Sequence, residues 1–230
     1  MLVFVKYRAM AWFAMLAVIV LFPLISHAGI IVGATRVVYH AENKEAELKV
    51  EATKDAGAYL IQSWVDTGDE KVKAPFVITP PLFRIDGGEE NQLRIIYSGN
   101  PLPGDRESLF WVNVRSIPET DSEITNKLQI AIKTRMKLFY RPEGLGNPPK
   151  DFAEKLTFSR SGNTLTVVNN SPWYAIFNQL TLGGKPIKNA EWVAPHSSVN
   201  LSLAGMSGNQ LSWKLINDYG GASDPGSTTL

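Results

Sequence analysis

The stretch NKLQIAIKTRMKLFYRP (126–142) alternates Leu128, Ile130 and Ile132 with polar or small residues. That is the period-two signature of a half-buried strand. Lys133, Arg135 and Lys137 occupy intervening positions. Either the apolar row is buried and the cations face water, or both rows are kept for a partner. A strand here needs a sheet to receive it, and strand-like runs recur upstream: TRVVYH (35–40), AELKVEAT (46–53), AYLIQSWVD (58–66), QLRIIYS (92–98) and SLFWVNVRSI (108–117). The segments between them, AENKE, DTGDEK, DGGEEN and GNPLPGD, have the composition of turns and loops. No long stretch sustains a 3.6-residue period. The pattern predicts an all-β sandwich of about seven short strands.

The composition changes at RPEGLGNPPKDF (141–152), where two glycines and three prolines suggest an interdomain hinge. KLTFSR, TLTVVNN, WYAIFNQLTL, SVNLSL and QLSWKLIND follow, again short and bounded by turns. Two β-sandwich domains are expected, over 29–144 and 145–230. The closing GGASDPGSTTL is small and polar, the composition of a loose tail.

Ahead of both domains, Lys6 and Arg8 precede an apolar run that exits through Ser26-His27-Ala28. A basic start, an apolar centre and a small-residue exit describe a secretory signal peptide over 1–28. Without it, 21 basic and 22 acidic residues remain. The excess of positive charge typical of nucleic-acid binders is missing, so no nucleic-acid partner is expected. The chain has no cysteine. Disulfides, thiol catalysis and cysteine metal sites are therefore excluded, and stability must come from hydrophobic cores. Only His40 and His196 remain, with no H-E-x-x-H or G-x-S-x-G context. No metal, cofactor or catalytic residue is expected.

LPGDRESLFWVNVRSIP (102–118) closely resembles the signature segment of the periplasmic pilus chaperones, which assist export and assembly of fimbrial subunits. The resemblance extends through IVGATRVVYHAENKEAELKV (31–50), TPP (79–81), KTRMKLFYRP (133–142) and INDYGG (216–221), nearly the whole mature chain. It implies two immunoglobulin-like β-sandwich domains set at an angle with a cleft between them. It further implies a non-enzymatic periplasmic chaperone that donates an edge strand to a fimbrial subunit and delivers it to an outer-membrane usher. In that family Leu128, Ile130 and Ile132 match the residues that enter the subunit's groove. Arg36 and Lys137 match the cations that grip its C-terminal carboxylate. Glu107, Arg141 and Asp218 match an interdomain salt-bridge network. The short segment ETDSEITN (119–126) matches the short-loop subclass that serves rod-type fimbriae. An exposed apolar edge is an aggregation hazard, so self-capping in a homodimer is a further expectation. Simple alternation places Lys137 on the face opposite Ile132, so contact of both with one subunit calls for a bulge or strong twist.

Two other readings compete. Trp173, Trp192 and Trp213 could form a sugar platform in a secreted adhesin or carbohydrate-binding module, although large aromatics in a sandwich are more often core. Asp105 and Glu107 could be the paired carboxylates of a hydrolase, with no supporting motif.

Overall fold

The computed structural model describes residues 29–69, 71–120 and 128–230. The expected signal peptide and positions 121–126 of the short segment lie outside them. Among the described residues the first domain holds nine strands, not about seven: β1 (Ile30–Val32), β2 (Arg36–His40), β3 (Ala46–Ala52), β4 (Tyr59–Asp66), β5 (Phe76–Thr79), β6 (Leu82–Ile85), β7 (Glu90–Tyr97), β8 (Ser108–Pro118) and β9 (Ile132–Arg141). The excess comes from the short strands β1, β5 and β6, which lie outside the strand-like runs. β1 pairs with β3 in one sheet and β2 with β9 in the other, and Gly33 at the crossing lies against Lys49, where an added Cβ would meet that side chain at 3.2 Å.

The two sheets run β1-β3-β7-β5 and β2-β9-β8-β4-β6. Alternation explains what lies between them. Leu48 and Val50 of β3, Leu93 and Ile95 of β7, Val112 and Val114 of β8 and Met136 and Leu138 of β9 are buried, while their neighbours Lys49, Arg94 and Arg135 face out. Each fully buried aliphatic side chain contributes about 1.5–3 kcal/mol before ordering costs.

The sheet containing β9 has an incomplete edge. β8 pairs with β9 antiparallel from Ile132 to Tyr140. On its other side β2 runs parallel and covers only Lys137–Arg141. Among the described residues, Ile132–Met136 therefore have a neighbour on one side only.

The second domain comprises β10 (Thr157–Ser161), β11 (Thr164–Asn169), β12 (Ala175–Leu182), β13 (Lys185–Pro186), β14 (Trp192–Val193), β15 (Ser197–Ser202), β16 (Gln210–Leu215) and β17 (Gly226–Thr229). β10-β11-β15 form one sheet, and β13-β12-β16-β17 the other, with β14 beside β12. Leu165, Val167, Leu180, Leu182, Leu203, Leu211 and Trp213 fill its core. The expected loose tail is in fact ordered. β17 completes the sheet on β16, Leu230 packs on the core, and the absent side chain of Gly226 makes room for Trp213, whose ring lies 2.4 Å from where a Cβ would stand.

Candidate functional site

β9 carries two chemically distinct rows. Met136 and Leu138 lie in the core, and Ile132 continues their phase beyond the sandwich, 63% exposed. Ile130 and Leu128 extend the apolar series at 64% and 88% exposure. The opening pattern thus differs from a half-buried strand: pairing begins only at Ile132, and the three apolar side chains face solvent. Side-chain bonds brace the exit of this segment, with Ser116 Oγ donating to the Ile132 carbonyl at 3.3 Å and Gln129 Nε2 to that of Pro118 at 2.7 Å.

The other row turns toward the second domain. Phe139 packs against Tyr174 at 5.7 Å between centroids, Arg141 reaches Asp218, and Lys137 lies beside Trp192. The β8–β9 register runs unbroken from Ser108–Tyr140 to Ser116–Ile132, so the expected bulge is absent. Ile132 and Lys137 remain on opposite faces of one strand.

Arg36 opens β2 and sits directly opposite Lys137 in the parallel ladder. Its guanidinium lies 5.9 Å from the Phe139 centroid and makes one long hydrogen bond, 3.5 Å, to the Ile216 carbonyl. Its Nε is buried without a partner. Burial lowers the pKa of Arg36, against the attraction of Asp218. Burial likewise lowers that of Lys137, against Glu191 and with help from Arg36. Neither cation is paired with a carboxylate among the described residues. Two half-buried, adjacent, unneutralised cations have the chemistry to receive an anion.

Glu107, Arg141 and Asp218 are brought together, and two of them are buried rather than solvated: the Arg141 and Glu107 side chains are 2% and 3% exposed. Arg141 donates from Nε and Nη2 to Glu107 at 2.9 and 2.7 Å, and from Nη1 and Nη2 to Asp218 at 2.8 and 2.9 Å. A further bond from Nη1 to Asn147 completes its set at 2.7 Å. Glu107 also joins the domains through its backbone, donating to the Pro172 carbonyl at 2.9 Å, and its carboxylate accepts from the Tyr174 N–H at 2.8 Å. These partners hold Arg141 charged above the ordinary arginine value despite its burial. The network borders a cleft of about 490 Å³, lined from both domains by residues including Arg36, Phe139, Tyr174 and Asp218.

The tryptophans make no common platform. Trp213 is core and donates from Nε1 to the Ala153 carbonyl, Trp173 packs on Phe152, and Trp192 meets Trp111 of the first domain. Asp105 pairs with Arg106 at the surface while Glu107 is bound to Arg141, so those carboxylates do not converge on a shared substrate position. The role of Trp111 and Trp192 beside Lys137 escaped the sequence reading, since nothing in their spacing links residues from two domains.

Two sandwiches joined at a charged cleft, with an open strand edge at its mouth, define the architecture of the pilus-assembly chaperones. The chain belongs to that family: residues 29–146 match the pili and flagellar-assembly chaperone PapD N-terminal domain, and residues 151–226 the PapD C-terminal domain. It is 45% identical to the Escherichia coli chaperone protein FocC over 203 residues, covering 86% of this chain and 89% of that one. It is equally identical to chaperone protein FimC of Escherichia coli strain K12 over 198 residues, covering 85% and 82%. Among solved structures, a chain of the Salmonella enterica SafA pilin–SafB chaperone complex superposes with a TM-score of 0.81 at 37% identity, covering 91% of this chain and 98% of that one.

Proposed function

We propose that this protein is a periplasmic chaperone that captures fimbrial subunits by strand addition and passes them to an outer-membrane usher. The observation that carries the proposal is the open edge of β9 at Ile132–Met136, ending at two unneutralised cations. Strand addition is an established mode of recognition, with chaperone–pilin pairs among its examples: backbone bonds supply affinity and alternate side chains fill pockets. A subunit lacking its last strand has a groove that Leu128, Ile130 and Ile132 can fill, each contributing about 1.5–3 kcal/mol before ordering costs.

The same geometry supports one direction for the incoming strand. β2 begins at Arg36, level with Lys137, and runs parallel to β9. A chain end whose carboxylate reaches Arg36 and Lys137 must lie along Ile132–Met136 with its C-terminus toward β2, and so parallel to β9. The carboxylate then sits about 17 Å along the strand from Ile132, at about 3.3 Å per residue. No bulge is needed, because the cations take the chain end while the exposed row enters the groove on the other face. The Glu107–Arg141–Asp218 network holds the two domains in the orientation that shapes the cleft.

Residues 1–28 would direct export and be cleaved from the exported chain, and no cofactor or nucleotide enters the mechanism. The short-loop subclass points to subunits of rod-type fimbriae. Free chaperone is expected to cap its edge in a homodimer. Periplasmic co-expression with fimbrial subunits, wild type beside Arg36→Ala, tests the reading. A soluble one-to-one complex is expected only with wild type, since leaving a buried charge unpaired costs about 2–5 kcal/mol. Equal yields with a folded Arg36→Ala would exclude the anchor.

A further inference from the structure

Lys137 is held between two indole rings, one from each domain. Its Nζ lies 4.8 Å from the ring centroid of Trp111, its cross-strand neighbour on β8, and 4.8 Å from that of Trp192 on β14. The rings meet edge to face, with centroids 6.1 Å apart and an interplanar angle of 64°. The negative face of an indole attracts a cation, most strongly where water is excluded. Three charged groups share the neighbourhood. Arg36, level with Lys137 on β2, repels it, and Glu191, beside Trp192, attracts it. Arg135 lies 4.5 Å from the Trp111 centroid and is itself tied to Asp66 at 3.0 Å. Among the described residues no carboxylate bonds directly to Lys137, so the two rings are its nearest electrostatic support.

We propose that Trp111 and Trp192 are positioning residues that cage the Lys137 ammonium and present it to the incoming carboxylate. This rests on the reading of Lys137 as half of the anchor. Trp192 belongs to the second domain, so the anchor is complete only while the domains are docked. That gives the second domain, which lends no strand to the open edge, a direct part in recognition.

The test is the titration of Lys137 in the free full-length mature protein, followed by NMR of ¹³C-labelled lysine and assigned by the signal lost in Lys137→Met. Leucine at position 192 still shields the ammonium from water but lacks a quadrupole; phenylalanine keeps a weaker one. Trp192→Leu is expected to lower the Lys137 midpoint by about one pH unit, and Trp192→Phe by clearly less. Identical midpoints in wild type and Trp192→Leu would overturn the cage. Should Trp192→Leu fail to fold, global incorporation of trifluorinated tryptophan weakens the quadrupole with little change of shape. The midpoint should fall there too, and an unchanged value would again overturn the proposal. Because the titration is read without a subunit, it is separate from the anchor reading, which fails instead if Lys137→Met captures a co-expressed subunit at wild-type yield.

Discussion

At the scale of single residues, Arg36 illustrates a conflict between stability and binding. Its Nε is buried and unpartnered, and burial works against its charge. An unsatisfied buried polar group costs about 1–3 kcal/mol, more when charged. Arg36→Met keeps an unbranched apolar side chain and removes the charge together with the guanidinium over Phe139. The free variant is expected to be as stable as wild type or about 1 kcal/mol more stable, while losing subunit capture. Denaturant unfolding of the free protein, set beside co-purification yield, checks both halves; a variant destabilised by 2 kcal/mol or more would mean that Arg36 supports the fold. Asp66 shows the opposite balance. Burial pushes its carboxyl up, but the Gly68 N–H and the Asn113 and Arg135 side chains outweigh burial and hold it below the usual carboxylate range. The folded value lies below the unfolded one, so this contribution is full above the unfolded value near ~3.9. It is lost as pH falls through the lower folded value. Asp66→Ala should cost about 1–3 kcal/mol at neutral pH, a deficit that shrinks in acid; a deficit independent of pH would contradict the assignment.

At the scale of the element, β9 is one strand with two environments. Met136 and Leu138 are core, whereas Ile130 and Ile132 stand in solvent. Ile130→Asp and Ile132→Asp should leave stability within about 0.5 kcal/mol, as exposed substitutions usually do, and block subunit capture. Met136→Asp should unfold the domain. Cooperative loss of structure in Ile130→Asp, followed by circular dichroism, would place that residue in the core instead. The strand's period and its two rows were legible in residues 126–142. Its exposure was not legible in the alternation, which is silent about whether a second sheet lies over the row; only the family resemblance implied it. The ordering of residues 226–229 was equally hidden: GSTT reads as tail until Trp213 demands a neighbour without a side chain.

At the scale of the molecule, two cores are joined through one buried cation. Arg141 ties Glu107 to Asp218, and Glu107 reaches the backbone of Pro172 and Tyr174. Arg141→Met leaves Glu107 buried without its partner and should cost about 3–5 kcal/mol. Replacing Glu107 and Arg141 together with methionine should restore much of that stability, since apolar side chains of similar volume substitute well for a buried pair. The double variant should still fail to hold the domains in register, seen in small-angle scattering as a broadened distribution of distances. A distribution as narrow as that of wild type would show that other contacts set the cleft. The three partners could be named from their motifs, yet their burial could not, because residues from different domains acquire a shared environment only when the domains meet.

The passage from solvent to core along β9 gives this strand something like a reading frame of two. Residues 128–131 lie outside the paired ladder, while Ile132 onward is locked to β8. Loss of the single codon for Ala131 would carry Leu128 and Ile130 onto the Lys133 row and leave the sandwich untouched, because a shift of one residue exchanges the faces of a strand. Loss of two adjacent codons would bring the remaining apolar residue back into phase. Selection for piliation in a library of small in-frame deletions should therefore return even-numbered survivors and reject odd ones, with every member folded.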